Sequence, residues 1–132
     1  MDDADQELLE TAQALLARTY VEGRHEVAAA LRTADGRVHV GVHVGASARR
    51  PSVCAEGAAL GAARAAGGEA VEAIVAVQYK PAGVFRVIAP CGSCRELISD
   101  HAPDARVYVW DDGDVVAVAA IDLLPYKTRR NW

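Results

Sequence analysis

The stretch Pro90-Cys91-Gly92-Ser93-Cys94 and the shorter stretch Val53-Cys54-Ala55-Glu56 contain all three cysteines of the 132-residue chain. Each stretch stands where a helix is predicted to begin, and the amides of a helix N-terminus favour thiolate over thiol. Cys-x-x-Cys is the compact two-ligand unit of zinc sites, with Gly92 and Ser93 forming the turn between the ligands. Two helices that begin at the same edge of a sheet could aim three thiolates at one point. The sequence therefore predicts a Zn²⁺ site.

The number of candidate ligands separates a catalytic zinc site from a structural one. A structural site is normally closed by four protein ligands, whereas a catalytic site uses three and leaves one position for water. Three cysteines are available here, which favours a catalytic site. The alternative is a structural Cys₃His site, for which the chain offers four histidines: His25, His39, His43 and His101. None of them has clear ligand spacing to either cysteine stretch.

Glu56 is the candidate proton carrier of the site. It follows Cys54 by two residues, so on a helix the two side chains point about 200° apart. Glu56 is therefore expected to flank the open position of the metal as a base rather than to bind the same ion. The competing interpretation is a glutamate at a helix start that interacts favourably with the helix dipole.

The apolar pattern around these stretches predicts the element order αββαβαββ. Three helices are predicted, at 4–19, 54–66 and 91–101. Five strands are predicted, at 25–31, 37–44, 71–79, 106–110 and 115–121. Residues 85–89 lead into Pro90, and the C-terminal tail is expected to contain a helical turn at most. This order describes an α/β fold in which helices cover a mixed five-stranded sheet.

Composition limits the classes of function. The 132 residues, 52% of them apolar, fit one domain with a single core spanning 1–132. A net charge of −4 and an aromatic content of 5% argue against nucleic-acid binding, which uses a basic face and stacking aromatics. No apolar run approaches the roughly 20 residues of a membrane span, and the acidic start is unlike a signal peptide. Three cysteines fit a disulfide framework poorly, so a reducing, cytoplasmic location is expected.

These motifs resemble the cytidine deaminase superfamily, whose signature is H-x-E…P-C-x-x-C with a Cys₃ version of the metal site. Cys54-Ala55-Glu56 matches the first half of the signature and Pro90–Cys94 the second. Arg95 then follows, as in the small free-nucleoside branch, which is usually homotetrameric. Within that branch the chain is most similar to the blasticidin-S deaminases, over about residues 25–125. The resemblance implies a three-layer α-β-α fold, one Zn²⁺, a small-molecule substrate and a homotetramer.

The same resemblance implies a reaction. A cytosine-type nucleoside, such as cytidine, deoxycytidine or blasticidin S, is hydrolysed to its uracil-type product with release of ammonia. Glu56 moves the protons, and the backbone amide of Ala55 donates to the developing oxygen. Because three thiolates outweigh the charge of one Zn²⁺, nearby donors are needed, and the candidates are the amides at the helix starts together with Arg95.

Substrate contacts are not fixed by the motifs. By an ungapped count back from Cys54, the ribose-binding positions of cytidine deaminases correspond to His43 and Gly45. The candidate substrate-binding residues are Glu26, His43, Arg86, Tyr126 and Trp132. Two alternatives stay open, a deaminase of another amino-heterocycle (purine, pterin or triazine) and a non-enzymatic structural zinc domain. A polynucleotide-editing deaminase conflicts with the acidic charge.

Overall fold

The computed structural model describes residues 1–80 and 83–131. Its helices are α1 (Asp3–Thr19), α2 (Ala55–Ala65) and α3 (Gly92–His101). Its strands are β1 (Val27–Thr33), β2 (Val38–Val42), β3 (Val71–Lys80), β4 (Val84–Val87), β5 (Arg106–Asp111) and β6 (Asp114–Ala119). A short 3₁₀ turn, Ala120–Leu123, follows β6. None of the helices in the described ranges is both long enough and apolar enough to cross a membrane.

The α/β fold is confirmed, but the sheet has six strands rather than the five expected from the sequence. The additional strand is β4, which pairs antiparallel with the second half of β3. Gly83 adopts a positive φ of 84°, the conformation that a tight turn requires and that glycine adopts without strain. The indole nitrogen of Trp110 donates to the carbonyl of Val87 at 2.7 Å and so links β4 to β5. β4 has only four residues, and its sequence Val-Phe-Arg-Val does not alternate between apolar and polar, so no local pattern predicted this strand.

The strand order is β2-β1-β3-β5-β6, with β4 beside β3. Only the β3–β5 pair is parallel, and the other pairs are antiparallel, so the sheet is mixed, as expected. Parallel strands require a crossover connection, and α3 lies in the segment that links β3 and β4 to β5.

The helices cover both faces of the sheet. On one face α1 buries Leu8, Leu15 and Leu16 against apolar residues of β1 and β3. On the other face α2 and α3 bury a second cluster that includes Leu60, Ile98, Leu31, Ile74 and Val107. Each fully buried leucine or isoleucine contributes on the order of 1.5–3 kcal/mol. The result is the three-layer α-β-α arrangement.

A buried carboxylate connects α1 to the sheet. Asp5 is fully buried and accepts hydrogen bonds from Arg32 at 2.8 Å, from Arg106 at 3.1 Å and from the hydroxyl of Tyr108. Burial raises the pKa of Asp5, but the bonds from Arg106, Tyr108 and Arg32 outweigh that effect and hold it at about 2. The side chain is therefore a charged anchor for α1.

Candidate metal centre and active site

The three cysteines converge at the beginnings of two helices. Cys54 is the N-cap of α2, Cys91 is the N-cap of α3, and Cys94 lies in the first turn of α3. Their sulfur atoms all lie within 4.8 Å of one another, and Cys54 Sγ lies 3.7 Å from Cys91 Sγ. Thiolates that bind one tetrahedral zinc at about 2.3 Å lie about 3.8 Å apart. The trio therefore fits a single zinc ion.

The electrostatics of the thiols also fit a cation. Burial raises the pKa of Cys91, but the backbone amides of Cys94 and Ser93, together with the neighbouring thiols, bring it below its usual range. Burial raises the pKa of both Cys54 and Cys94, and the nearby carboxylate of Glu56 adds to the effect. A bound divalent ion offsets burial and the nearby carboxylate, because it deprotonates the thiols that coordinate it.

No histidine closes the site in the described ranges, because the ligand cluster there consists of the three cysteines alone. His25 Nδ1 lies 3.0 Å from the carbonyl of His43, and His43 Nδ1 accepts the backbone N–H of Glu26 at 3.2 Å. His39 lies on β2 and His101 at the end of α3. The absence of a histidine from the ligand cluster of the described residues argues against the Cys₃His structural site.

Glu56 is buried, with 6% of its surface exposed, and lines a pocket of about 150 Å³ together with Cys54 and Cys91. Burial raises the pKa of Glu56, and a hydrogen bond from its own backbone amide reduces the shift. The other walls of the pocket are formed by Val27, His43, Ala55, Ile88 and Ala89. The structure thus places a protonatable carboxyl group beside a metal-binding cluster in a small, mostly apolar pocket.

The backbone of Ala55 is also positioned at this pocket. The first intrahelical bond of α2 runs from Ala58 N to Cys54 O at 3.1 Å, so the amides before Ala58 have no partner within the helix. Ala55 is the first residue of α2 and lines the pocket. Its amide is suited to donate to an oxygen that gains negative charge there.

Comparison with known proteins identifies the family. Residues 2–110 match the family described as the cytidine and deoxycytidylate deaminase zinc-binding region. The chain belongs to this family. As a family member the deaminase is a zinc-dependent hydrolase that acts on a C–N bond.

Individual relatives agree with this assignment. The deaminase is 40% identical to a blasticidin-S deaminase from Bacillus cereus over 131 residues, which cover 96% of this chain and 94% of that protein. It is 35% identical to a cytidine deaminase from Halalkalibacterium halodurans over 104 residues, which cover 77% of this chain and 76% of that protein. The crystal structure of cytidine deaminase from Burkholderia pseudomallei matches with a TM-score of 0.78 at 34% identity, covering 97% of this chain and 100% of that one.

Most of the candidate substrate residues lie outside the pocket of the deaminase, whereas His43 lines it. Glu26 accepts a hydrogen bond from a backbone amide of the preceding turn at 2.8 Å. The guanidinium carbon of Arg86 lies 6.0 Å from the ring centroid of Trp110. Tyr126 is fully exposed in the C-terminal segment. Trp132 lies outside the described residues.

Arg95 contacts backbone carbonyls rather than the thiols it was expected to support. Its Nε donates to Pro90 O at 2.9 Å, and its Nη1 donates to Leu123 O at 3.4 Å. Neighbouring residues on a helix point about 100° apart, so Arg95 does not share the direction of Cys94. The guanidinium supports the turn before Cys91, and backbone amides supply the hydrogen bonds to the thiols.

The pocket also contains residues that the sequence analysis missed. Val27, Ile88 and Ala89 form its apolar walls. For Ile88 and Ala89, their place directly before the Pro90–Cys94 motif could have predicted a position at the pocket. Val27 reaches the pocket only through the pairing of β1 with its neighbours.

Proposed function

We propose that this deaminase hydrolyses the exocyclic amine of a cytosine-type nucleoside, namely cytidine, deoxycytidine or blasticidin S, to the uracil-type carbonyl and ammonia. The observation that carries the proposal is that the buried carboxyl group of Glu56 lines the same pocket as the thiols of Cys54 and Cys91. The relatives named above support the substrate class, because one acts on cytidine and another on blasticidin S.

Cys54, Cys91 and Cys94 would hold the zinc ion. Zinc, when bound, supplies a Lewis acid that lowers the pKa of water to near neutrality. Three protein ligands are typical of catalytic zinc, whereas a structural zinc normally has four. This donor set favours an enzyme over the structural zinc domain.

Glu56 carries the protons in this proposal. Its carboxylate takes a proton from the attacking water and delivers it to the ring nitrogen. It then takes the remaining proton of the added hydroxyl group and passes it to the amine, so that the carbonyl forms as ammonia leaves. Because the side chain is buried, bulk water does not compete for the proton during these transfers. The amide of Ala55 donates to the oxygen that develops on the ring carbon.

His43 is the substrate contact that the pocket supports. Its Nδ1 accepts the amide of Glu26, so the neutral ring carries its proton on Nε2 and offers a donor there. Of the residues that line the pocket, Glu56 is the one carboxylate. We therefore expect a substrate group that accepts a hydrogen bond beside His43, rather than a diol held by a second carboxylate.

An ammonia-release assay with zinc-loaded protein tests the proposal. The substrates are cytidine, deoxycytidine and blasticidin S, with aminated purines, pterins and triazines as the competing class. We expect release from at least one cytosine-type compound. Release from the competing class alone would favour the other amino-heterocycles, and no release at all would contradict a deaminase of either class.

Zinc X-ray absorption separates the enzyme from the structural domain independently of substrate. We expect three sulfur ligands and one oxygen ligand. A closed shell with a nitrogen ligand would contradict the catalytic site.

We further propose a cytoplasmic homotetramer in which residues 1–132 form one domain. Three free thiols suit a reducing compartment. The exposed small residues Ala62 and Ala65 of α2 allow close packing of another copy. Light scattering coupled to size exclusion measures the mass, and a monomer at micromolar concentration would contradict the assembly.

A further inference from the structure

The segment that follows β6 folds back onto α3 and buries a charge there. Only 4% of the Lys127 side chain is exposed. Its ammonium donates to the carbonyl of Glu96 at 3.2 Å, to the hydroxyl of Ser99 at 2.6 Å and to the carboxylate of Asp100 at 2.7 Å. All three acceptors belong to α3, so the three N–H bonds of the ammonium each have a partner on one helix.

This contact is costly to form, which argues that it has a role. A buried ammonium loses its hydration, and the loss is offset only when its hydrogen bonds are satisfied. The residue before it, Tyr126, has a φ of 59°, which is unfavourable for a residue with a Cβ. The backbone therefore accepts an unfavourable conformation immediately before the residue that turns inward onto α3.

The helix that Lys127 holds carries two of the three zinc-ligand candidates. Cys91 caps the start of α3 and Cys94 lies in its first turn. The same C-terminal segment also contacts α3 one turn after Cys91, because Arg95 Nη1 donates to the carbonyl of Leu123. The contacts of the segment thus extend along α3 from Arg95 to Asp100.

We infer that Lys127 is a positioning residue, which fixes the orientation of α3 and so the placement of the Cys91 and Cys94 thiols relative to Cys54 and Glu56. The inference rests on the proposed zinc site. A rotation of α3 moves both thiols together and leaves Cys54, on α2, in place. Loss of the hydrogen bonds between Lys127 and α3 therefore distorts the ligand set without removing a ligand.

The test compares Lys127→Met, which keeps the aliphatic stem, with Lys127→Arg, which keeps the charge. The control is Arg18→Met, which removes an exposed cation from α1 on the opposite face of the sheet. Zinc affinity is measured by competition with a chromophoric chelator, and circular dichroism checks the fold. We expect Lys127→Met to bind zinc roughly 10- to 100-fold more weakly, the loss typical of groups that orient metal ligands. Lys127→Arg should recover part of the lost zinc affinity, and Arg18→Met should bind zinc as tightly as the wild type does.

A cobalt spectrum separates positioning from a merely structural role. The ligand-field bands of Co²⁺ bound in place of zinc report the geometry of the sulfur ligands. We expect these bands to shift in Lys127→Met. A folded Lys127→Met protein with wild-type zinc affinity and wild-type cobalt bands would overturn the inference.

Asp100→Asn provides the second variant if Lys127→Met does not fold. It removes the ion pair but leaves an oxygen acceptor, so we expect a smaller shift of affinity and bands in the same direction. Unchanged values in a folded Asp100→Asn protein would also overturn the inference. Neither zinc affinity nor the cobalt spectrum requires turnover. A chain that binds zinc but does not deaminate cytosine nucleosides would therefore contradict the proposed function, while the role of Lys127 could still be tested.

Discussion

Gly41 on β2 and Ala55 at the start of α2 approach so closely that a Cβ on Gly41 would lie 2.4 Å from the Ala55 carbonyl oxygen. The same Cβ would lie 2.4 Å from the backbone nitrogen of Ala59. Both neighbours are backbone atoms of a helix, which cannot move aside as a flexible side chain can. Because α2 also positions Cys54 and Glu56, this contact sets the site relative to the sheet.

Gly41→Ala should therefore push α2 away from β2. We expect the free energy of unfolding to fall by about 3 kcal/mol, the upper range for overpacking, and the bound zinc to fall with it. Urea denaturation and zinc analysis of the purified protein measure the two effects.

Gly61→Ala is the matched control on α2, since a Cβ there meets no described atom within 4 Å. Alanine favours the helix over glycine, so we expect stability to rise by up to about 1 kcal/mol in the isolated chain, with full zinc content. A Gly41→Ala protein that matches Gly61→Ala would show that this contact does not position α2.

Glu56→Gln should retain fold and zinc but lose turnover. Glutamine fills the same buried volume but carries no transferable proton, so we expect kcat to fall by at least about 10²–10⁴-fold, the usual contribution of general acid–base catalysis. Glu69→Gln, at an exposed position before β3, is the control and should keep wild-type kcat. Equal turnover in Glu56→Gln and the wild type would mean that another group moves the proton.

The elements that the sequence predicts well are those with strong local patterns. The three helices and the hairpin around the Asp-Gly turn appear within a few residues of their expected bounds. Val38, Val40 and Val42 alternate with less apolar residues along β2, a pattern that predicts one apolar face, yet Val38 and Val40 are 44% and 37% exposed. The reason is tertiary, since β2 is an edge strand and α1 packs mainly over β1 and β3. No local pattern encodes which strand lies at the edge.

The residues of the site also differ in how well the sequence predicts them. Cys54, Glu56, Cys91 and Cys94 were predictable because each lies in a short motif at a helix start. Lys127 was not, because its partners lie on α3, 27 to 31 residues away along the chain. Long-range contacts of this kind leave no periodic trace in the sequence.

Cys91→Ser should lose zinc and stability together. The variant removes one thiolate of three, so we expect little zinc in the purified protein. Zinc that binds only the folded state stabilises it by about 3 kcal/mol at a free concentration one hundred times the Kd. A chelator should therefore lower the melting temperature of the wild type and leave that of Cys91→Ser unchanged.

Ser93→Ala, between the two ligands, is the control and should behave as the wild type. Full zinc occupancy in Cys91→Ser would contradict the ligand set.

Asp5 should make the protein sensitive to acid. Its pKa is about 2 in the folded chain, against an ordinary value of 3.8, so the unfolded state binds more protons between these values. The stabilisation is complete above about pH 4 and is lost as the pH falls through 2. A difference of nearly two pKa units corresponds to about 2 kcal/mol. Urea denaturation at pH 5, 3 and 2 should show a steep decline in the wild type and a flatter one in Asp5→Asn.

Asp35 gives a matched comparison for this pH dependence, because its pKa is also held at about 2, by hydrogen bonds from Thr33 and Arg37. Asp35 is exposed, so solvent screening weakens its ion pair and its contribution to stability. We therefore expect Asp35→Asn to keep most of the wild-type decline between pH 5 and pH 2. If Asp5→Asn declines as steeply as the wild type, the buried network does not anchor α1 through charge. The acid sensitivity would then arise from the exposed carboxylates, and Asp35→Asn would show the flatter curve instead.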